Sequence, residues 1–157
     1  MSSEIEPLYR SCFAEPPWNE PEEKLAQSSD RLADAAGRPG FTALAARDPE
    51  GTLIGLAYGW PTPPLAGREI YDKLVARLGT EQAHALTRGA FEFVELMVSP
   101  DARGQGLGGR LLALADPWPR AWLATLADSP AERLYKRHGW QEHCRLLDDA
   151  WVIYTRE

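Results

Sequence analysis

The residues best suited to chemistry lie in a glycine-rich segment in the second half of the chain. Four glycines fall within six residues: Gly104, Gly106, Gly108 and Gly109. They follow a predicted strand, Phe91–Val98, and lead into a predicted helix that begins at Gly106. Glycine lets a backbone approach a ligand closely, and the first N–H groups of a helix have no partner inside it. The pattern predicts an anion site, most often for phosphate, with an ordinary glycine-rich turn as the alternative.

The same segment also matches a dinucleotide-binding fingerprint. Gly104-x-Gly106-x-x-Gly109 has the required spacing, and Asp128 lies 19 residues after the last glycine, near the position of a ribose-binding acid. However, residues 99–103 separate the strand from the glycines, and only 29 residues follow Asp128. That is too short for the rest of such a domain. A P-loop is excluded, because no Gly-Lys-Ser/Thr closes the segment.

Hydrophobic periodicity and breakers predict the elements that position this segment. Helices are predicted at 4–14, 20–36, 69–88 (with a weak point at Gly79), 106–115 and 130–138. Strands are predicted at 41–47, 52–60, 91–98, 121–127, 140–146 and 151–155. Strands that alternate with helices in the middle of a chain indicate a mixed sheet with helices on both faces.

Composition narrows the function classes. The 157 residues are 44% hydrophobic and 25% charged, with a net charge of −6, which predicts one soluble, cytoplasmic domain over residues 1–157. No segment reads as a membrane span or a leader peptide. The negative charge argues against nucleic-acid binding. Residues 1–38 hold eight acids against four bases, a net of −4, whereas 99–147 hold five acids against seven bases, a net of +2. Such asymmetry indicates either two solvated faces or two ligands of opposite sign.

Two motifs together resemble the GNAT acetyltransferases, the Gcn5-related, acyl-CoA-dependent N-acyltransferases. The first is Arg103-Gly104-Gln105-Gly106-Leu107-Gly108, preceded by Leu96-Met97-Val98-Ser99-Pro100. The second is Ala131-Glu132-Arg133-Leu134-Tyr135, followed by Gly139-Trp140. The resemblance implies an α/β (α+β) GNAT fold with a mixed, mostly antiparallel sheet of about six strands, flanked by helices on both faces. The family's usual first edge strand is missing here. Three alternatives stay open: that edge of the sheet is absent, it is supplied by a partner chain as in a homodimer, or it is lost to a misassigned start.

The cofactor implied by the resemblance is acetyl-CoA (coenzyme A). Its pyrophosphate would be held by the backbone of Gly104, Gln105, Gly106, Leu107, Gly108 and Gly109, with Arg103 beside it. Met97 and Val98 would pair with the pantetheine arm, and an N–H near Met97 would polarise the thioester carbonyl. Asp128 stands where the family often has an asparagine, and its charge would repel rather than donate to the pantetheine amides.

The resemblance also implies direct transfer in a ternary complex. Tyr135 would protonate the leaving thiolate, although its place on an amphipathic stripe also suits a core tyrosine. The base is Glu95, on the same strand face as Met97, or Glu92 on the opposite face, and either could instead be a paired sheet carboxylate. His84, His138 and His143 lack triad or metal spacing, and no metal site is predicted. Cys12 and Cys144 are expected to be small buried hydrophobes.

The acceptor is expected to be a small, cationic primary amine. In the family it enters between segments that correspond to residues 15–22 and 58–71, which carry Trp18, Tyr58, Trp60 and Tyr71. Aromatic walls near carboxylates suit a cation, although the tryptophans could simply cap the core. Two alternatives stay open: a non-catalytic acyl-CoA-binding or regulatory module, and a protein or peptide N-acetyltransferase.

Overall fold

The computed structural model describes residues 2–147 and 150–157. The helices are α1 (Ser2–Phe13), α2 (Glu22–Ala26), α3 (Ser28–Ala36), α4 (Glu69–Leu78), α5 (Thr80–Thr87), α6 (Leu107–Leu112) and α7 (Pro130–Arg137). The strands are β1 (Thr42–Arg47), β2 (Leu53–Pro61), β3 (Phe91–Val98), β4 (Ala121–Leu126), β5 (Gln141–Arg145) and β6 (Trp151–Arg156). Short 3-10 turns cover Pro100–Ala102 and Ala113–Ala115.

The six strands form one sheet in the order β1-β2-β3-β4-β6-β5. The β1/β2, β4/β6 and β5/β6 pairs are antiparallel, and β3/β4 is parallel. The predicted fold class is therefore confirmed: a mixed, mostly antiparallel sheet flanked by helices. In the described part of the chain α1 is the first element. A dinucleotide-binding domain needs a doubly wound parallel sheet, so that alternative is excluded.

The chain groups into two compact units. The first unit comprises the residues up to Trp60 together with Glu95–Leu114, and the second comprises Pro61–Val94 together with the residues from Ala115 onward. Each unit has its own buried residues. The single domain over residues 1–157 stays a prediction.

In the first unit, α1 buries an apolar stripe, which consists of Ile5, Leu8, Cys12 and Phe13. The predicted helix over 20–36 divides at Gln27, whose φ of −94° and ψ of 6° end α2. Two serines follow, and serine side chains compete with the helix for backbone hydrogen bonds, which weakens a helix there. β2 is buried along most of its length.

In the second unit, the predicted weak point at Gly79 is confirmed as a helix boundary. Gly79 has a φ of 84°, a conformation that costs glycine little, and it separates α4 from α5. The core contains Tyr71, Leu74, Trp122 and Ile153, none more than 1% exposed. Trp122 is the β4 residue of this core. It lies opposite Thr155 of β6, in a ladder whose register is regular from Ala121 to Leu126.

Candidate active site

The glycine-rich loop belongs to the first unit and begins where β3 ends. The Ser99 N–H donates to the Ile54 carbonyl over 2.8 Å, so the start of the loop is attached to β2. Gly104 and Gly106 have φ values of 77° and 79°, in the left-handed region that strains other residues. Gly106 is the N-cap of α6. The predicted strand, loop and helix are confirmed, although α6 ends three residues early and continues as a 3-10 turn.

The loop presents a series of unused backbone donors. Within residues 2–147 and 150–157, no acceptor is found for six consecutive backbone N–H groups: Gly104, Gln105, Gly106, Leu107, Gly108 and Gly109. On either side the pairing resumes, since the Arg103 N–H donates to the Pro100 carbonyl and the Arg110 N–H to the Gly106 carbonyl. The loop is exposed or half-buried throughout. Six accessible donors at a helix start fit a pyrophosphate.

A glycine that the sequence analysis did not single out sets the position of α6. A Cβ on Gly55 would lie 3.0 Å from Leu111 Cδ1, 3.2 Å from Leu107 Cδ2 and 3.4 Å from the Met97 carbonyl oxygen. A side chain at this position would therefore force Leu107 and Leu111 to move by a few tenths of an ångström, so glycine favours the close packing of α6 on β2. The available signal was a glycine inside a strand, which often marks close approach of another segment.

The Arg103 side chain holds the loop to the end of β3. Its Nε donates to the Val98 carbonyl over 3.1 Å, and the buried Cys12 Sγ lies 3.3 Å from the same oxygen as a second donor. The Val98 carbonyl is thus occupied by protein donors, whereas Met97 packs its side chain into the core at 1% exposed. Burial raises the pKa of Cys12, so this thiol is a packing and hydrogen-bonding group.

Glu95 lies among polar groups from the N-terminal helices. Tyr9 donates its hydroxyl to Glu20 Oε1 at 2.5 Å, and Lys24 Nζ is 3.3 Å from Glu20 Oε2. The Arg31 guanidinium lies 4.8 Å from the centre of the Tyr9 ring. Glu95 itself has no ion-pair partner in the described part of the chain.

This environment favours the protonated form of Glu95. Burial of the carboxyl group, followed by the charge of Glu20, raises its pKa to about 7, against the opposing charges of Lys24 and Arg31. The carboxyl group is buried, whereas the residue as a whole is half-buried. Burial and the charge of Glu95 also raise the pKa of Tyr9. A carboxyl group that titrates near neutral pH is suited to general-base catalysis.

Glu92 has a different environment, in the second unit. It is 3% exposed, it forms an ion pair with Arg68, and it accepts a hydrogen bond from the Tyr71 hydroxyl at 2.5 Å. Tyr71 is fully buried in the core of this unit. The structure thus places Glu92, a candidate base, in contact with Tyr71, a candidate acceptor-binding residue. Their geometry is that of a paired sheet carboxylate, the alternative stated for Glu92, and Tyr71 offers no surface to an acceptor.

Three of the predicted acceptor-binding aromatics lie in the first unit. Trp60 is 3% exposed and has the Arg38 guanidinium 4.6 Å from its ring centre, so a cation of the chain itself already contacts it. Tyr58 is 6% exposed. Trp18 is half-buried and packs edge-on against Phe13 at 5.3 Å between ring centres. Of the three, Trp18 is the one with appreciable surface for a ligand.

The second unit holds the remaining predicted residues. Tyr135, on α7, is 7% exposed, with its ring centre 6.2 Å from that of Trp140 and 5.8 Å from that of Tyr154. Asp128 has a φ of 62°, and its side chain is 87% exposed at 3.9 Å from Arg145. Aspartate and asparagine both tolerate this left-handed conformation, which explains why either residue can occupy the position.

Glu132 was missed as a structural residue of the second motif. It is 7% exposed and accepts hydrogen bonds from the Asp128 N–H at 2.6 Å and from the Tyr154 hydroxyl at 2.5 Å. Burial opposes ionisation, yet these two bonds lower its pKa overall. The available signal was the capping-box pattern of Ser129 followed three residues later by glutamate.

The described residues form neither a metal site nor a membrane-spanning helix. Among residues 2–147 and 150–157, no three His, Cys, Asp or Glu side chains come close enough together to hold a metal ion. None of the described helices has both the length and the apolarity needed to cross a lipid bilayer.

In the second unit, the parallel ladder between β3 and β4 pairs Phe91 with Ala121 and Glu92 with Trp122, and it stops before Phe93.

Comparison with known proteins identifies the family. Residues 39–142 match the sequence profile described as an acetyltransferase (GNAT) domain, whereas a search of curated proteins found no match. Similar solved structures include a protein from Desulfovibrio desulfuricans assigned to the GNAT family (17% identity, TM-score 0.68, covering 99% of this chain and 91% of that one). A second is the PaiA N-acetyltransferase of Thermoplasma acidophilum in complex with coenzyme A (14% identity, TM-score 0.70, covering 99% of this chain and 92% of that one). A third is the ribosomal-protein-S18-alanine N-acetyltransferase of Escherichia coli (15% identity, TM-score 0.62, covering 99% of this chain and 86% of that one).

At these identities the solved structures establish the fold alone, and the profile match, which spans about two thirds of the chain, establishes the family. The resemblance inferred from the two motifs is confirmed: the chain belongs to the GNAT acetyltransferases.

Proposed function

We propose that this protein transfers the acetyl group of acetyl-CoA to the primary amine of a small, cationic molecule, directly within a ternary complex. The observation that carries this proposal is the raised pKa of Glu95 together with the position of this residue in the unit that holds the glycine loop. A carboxyl group with a pKa of about 7 lies in the same compact unit as the six unused N–H donors of the glycine loop. A base matched to neutral pH and an anion-binding loop are the two parts that the reaction requires.

The glycine loop binds the cosubstrate. Its N–H groups from Gly104 to Gly109 donate to the pyrophosphate, and Arg103, anchored on the Val98 carbonyl, adds positive charge beside it. Acetyl-CoA supplies an acetyl group activated as a thioester. The net of +2 over residues 99–147 supports the binding of this anion.

Glu95 prepares the nucleophile. An ammonium group has no lone pair, so the ionised carboxylate first takes one proton from it. The neutral amine then attacks the thioester carbonyl carbon, forming a C–N bond, while the carbonyl electron pair moves to oxygen. An N–H near Met97 would stabilise the resulting oxyanion.

The breakdown of this adduct requires an acid. The electron pair on the oxyanion re-forms the C=O bond, and the C–S bond breaks with its electron pair going to sulfur. Tyr135 donates a proton to the thiolate and then recovers a proton from solvent. The amine nitrogen loses its remaining extra proton to solvent, and Glu95 also returns its proton there. The assignment of Tyr135 rests on the second family motif, whose position it occupies.

The acidity of the N-terminal segment supports a cationic acceptor. The first 38 residues carry a net of −4. Trp18, with its partly exposed ring, offers a surface for a cation–π contact.

A panel of amines tests the substrate class, with CoA release as the readout. We expect turnover of diamines, polyamines and amino sugars, and a Tyr135→Phe variant that binds acetyl-CoA but turns over slowly. Turnover of anionic or hydrophobic amines alone would contradict the cationic preference. Acetyl-CoA binding without turnover of any amine would indicate the non-catalytic module instead.

The proposal includes a cytoplasmic location. Both cysteines are free and buried, which is compatible with a reducing compartment. Fractionation of the source cells tests this directly.

A further inference from the structure

The strand β1 forms one edge of the sheet. On one side it pairs regularly with β2, from Thr42 opposite Gly59 to Ala46 opposite Gly55. Its only irregularity lies beyond this segment, between Ala46 and Arg47. Every second residue of an edge strand directs its N–H and C=O away from the sheet. The segment Thr42–Ala46 is therefore a straight, regular template for another strand.

Neither face of this strand is covered. All its residues are exposed except Ala46, which is half-buried. The exposed side chains include Ala43, Leu44 and Ala45. Leu44 is 40% exposed and is one of two large hydrophobic side chains exposed in the described part of the chain, the other being Leu147. An uncovered, aliphatic edge of this kind promotes association between chains.

The opposite edge of the sheet shows the usual protection. β5 has the sequence Gln-Glu-His-Cys-Arg, and its pairing is irregular between Glu142 and Cys144. Charges and a mid-strand irregularity both block the addition of another strand. Thr42–Ala46 carries neither. The charge of Arg47, just beyond it, is paired with Glu4 at 2.6 Å.

We propose that β1 pairs antiparallel with β1 of a second copy of this chain, with the two-fold axis passing at Leu44. Residues opposite each other in an antiparallel ladder must direct their backbone groups the same way. A symmetric pairing can therefore centre on a residue but not between two residues. Centred on Leu44, it places Leu44 opposite its own counterpart, Ala43 opposite Ala45 and Thr42 opposite Ala46.

Self-complementarity is the reason for a second copy as the partner. In this register every position of Thr42–Ala46 meets a small or aliphatic side chain, and no like charges face each other. The most exposed large side chain of the edge, Leu44, becomes buried against itself. Such an isologous contact closes as a dimer and joins the two sheets through backbone hydrogen bonds.

Sedimentation velocity over a concentration series tests the proposal. We expect the full chain to shift from monomer to dimer with rising concentration, and Leu44→Lys to stay monomeric with an unchanged circular dichroism spectrum. Leu147→Lys is the matched control, because it makes the same change at the other exposed leucine, and it should dimerise like the wild type. A wild-type chain that remains monomeric up to about 1 mM, or a dimeric Leu44→Lys variant, would overturn the proposal.

A cysteine at the axis gives a second, geometric readout. Opposed residues in an antiparallel ladder have Cα atoms about 4.5–5.5 Å apart, within the range of a disulfide. Leu44→Cys should therefore form a covalent dimer with copper phenanthroline as the oxidant. The wild type should not, since Cys12 and Cys144 are buried, and Leu147→Cys should crosslink much more slowly. Equal crosslinking of the two variants would exclude the proposed register.

Discussion

Replacement of Glu95 by glutamine should slow turnover and stabilise the fold, and the gain in stability should increase with pH. The pKa of Glu95 is raised from 4.5 to about 7, so the folded chain holds this proton more tightly than the unfolded chain does. Between pH 4.5 and pH 7 the unfolded chain loses the proton first, which favours unfolding as the pH rises. Glutamine cannot ionise, and the variant therefore avoids this loss.

The size of the effect follows from the two pKa values. Linkage predicts that Glu95→Gln is more stable than the wild type by about 3 kcal/mol at pH 8, about 2 kcal/mol at pH 6 and about 1 kcal/mol at pH 5. The rate of the reaction depends on the ionisation of the same carboxyl group. The ionised fraction of Glu95 at pH 5 is about 1%, against about 75% for an ordinary glutamate, so kcat/KM of the wild type should fall about tenfold per pH unit below pH 7.

Urea unfolding of both proteins at each pH provides the stability difference, and CoA release provides the rate. Turnover of the variant should fall by about 10² to 10⁴-fold, while acetyl-CoA still protects it against thermal unfolding. A stability difference that does not change with pH, or a wild-type rate that stays flat between pH 7 and pH 5, would refute the reasoning. Full turnover by the glutamine variant would remove Glu95 from the mechanism.

Three further predictions concern the surroundings of this group and the loop. Glu20→Gln removes a charge that raises the pKa of the base and should move the acidic limb of the pH–rate profile to lower pH, whereas Lys24→Gln should move it to higher pH; limbs that move together would contradict the electrostatic assignment. Gly106→Ala should weaken acetyl-CoA binding about tenfold or more, measured by calorimetry. Gly51→Ala is the control, because Gly51 has a similar φ of 87° and equally open surroundings. Each substitution should cost ~1 kcal/mol of stability, but Gly51→Ala should leave the affinity for acetyl-CoA unchanged. Glu92→Gln should lower the free energy of unfolding by about 2–4 kcal/mol yet leave the turnover of the folded fraction unchanged, and a selective loss of turnover would make Glu92 catalytic.

The parts of the fold that sequence predicted best are those with strong local signals. β3 was predicted at its observed bounds because its residues are almost all apolar or β-forming and turn signals flank it. The break at Gly79 was predicted because glycine adopts positive φ easily. The division at Gln27 was not predicted, because the two serines that follow weaken a helix there without forbidding one.

The candidate site likewise has a part with a local sequence signal and a part without one. The glycine loop is contiguous, so its pattern was visible in the sequence and its six unused N–H groups follow from it. The environment of Glu95 is assembled from Tyr9, Glu20, Lys24 and Arg31, which lie 64 to 86 residues earlier. No local pattern connects those residues to a strand so far along the chain. The ion pair of Glu92 with Arg68 is equally non-local.

The two carboxylates of β3 show what the structure adds to the choice of a base. They are three residues apart, so the alternation of a strand sends them to opposite faces, and sequence alone could justify either. A guanidinium and a phenol hold Glu92, and a substrate proton could reach it only if these bonds broke. Glu95 has no ion pair to break, it is partly exposed, and its proton is exchanged near pH 7. A general base must both lose and gain a proton in each catalytic cycle, and on this strand only Glu95 can do so without disrupting the core.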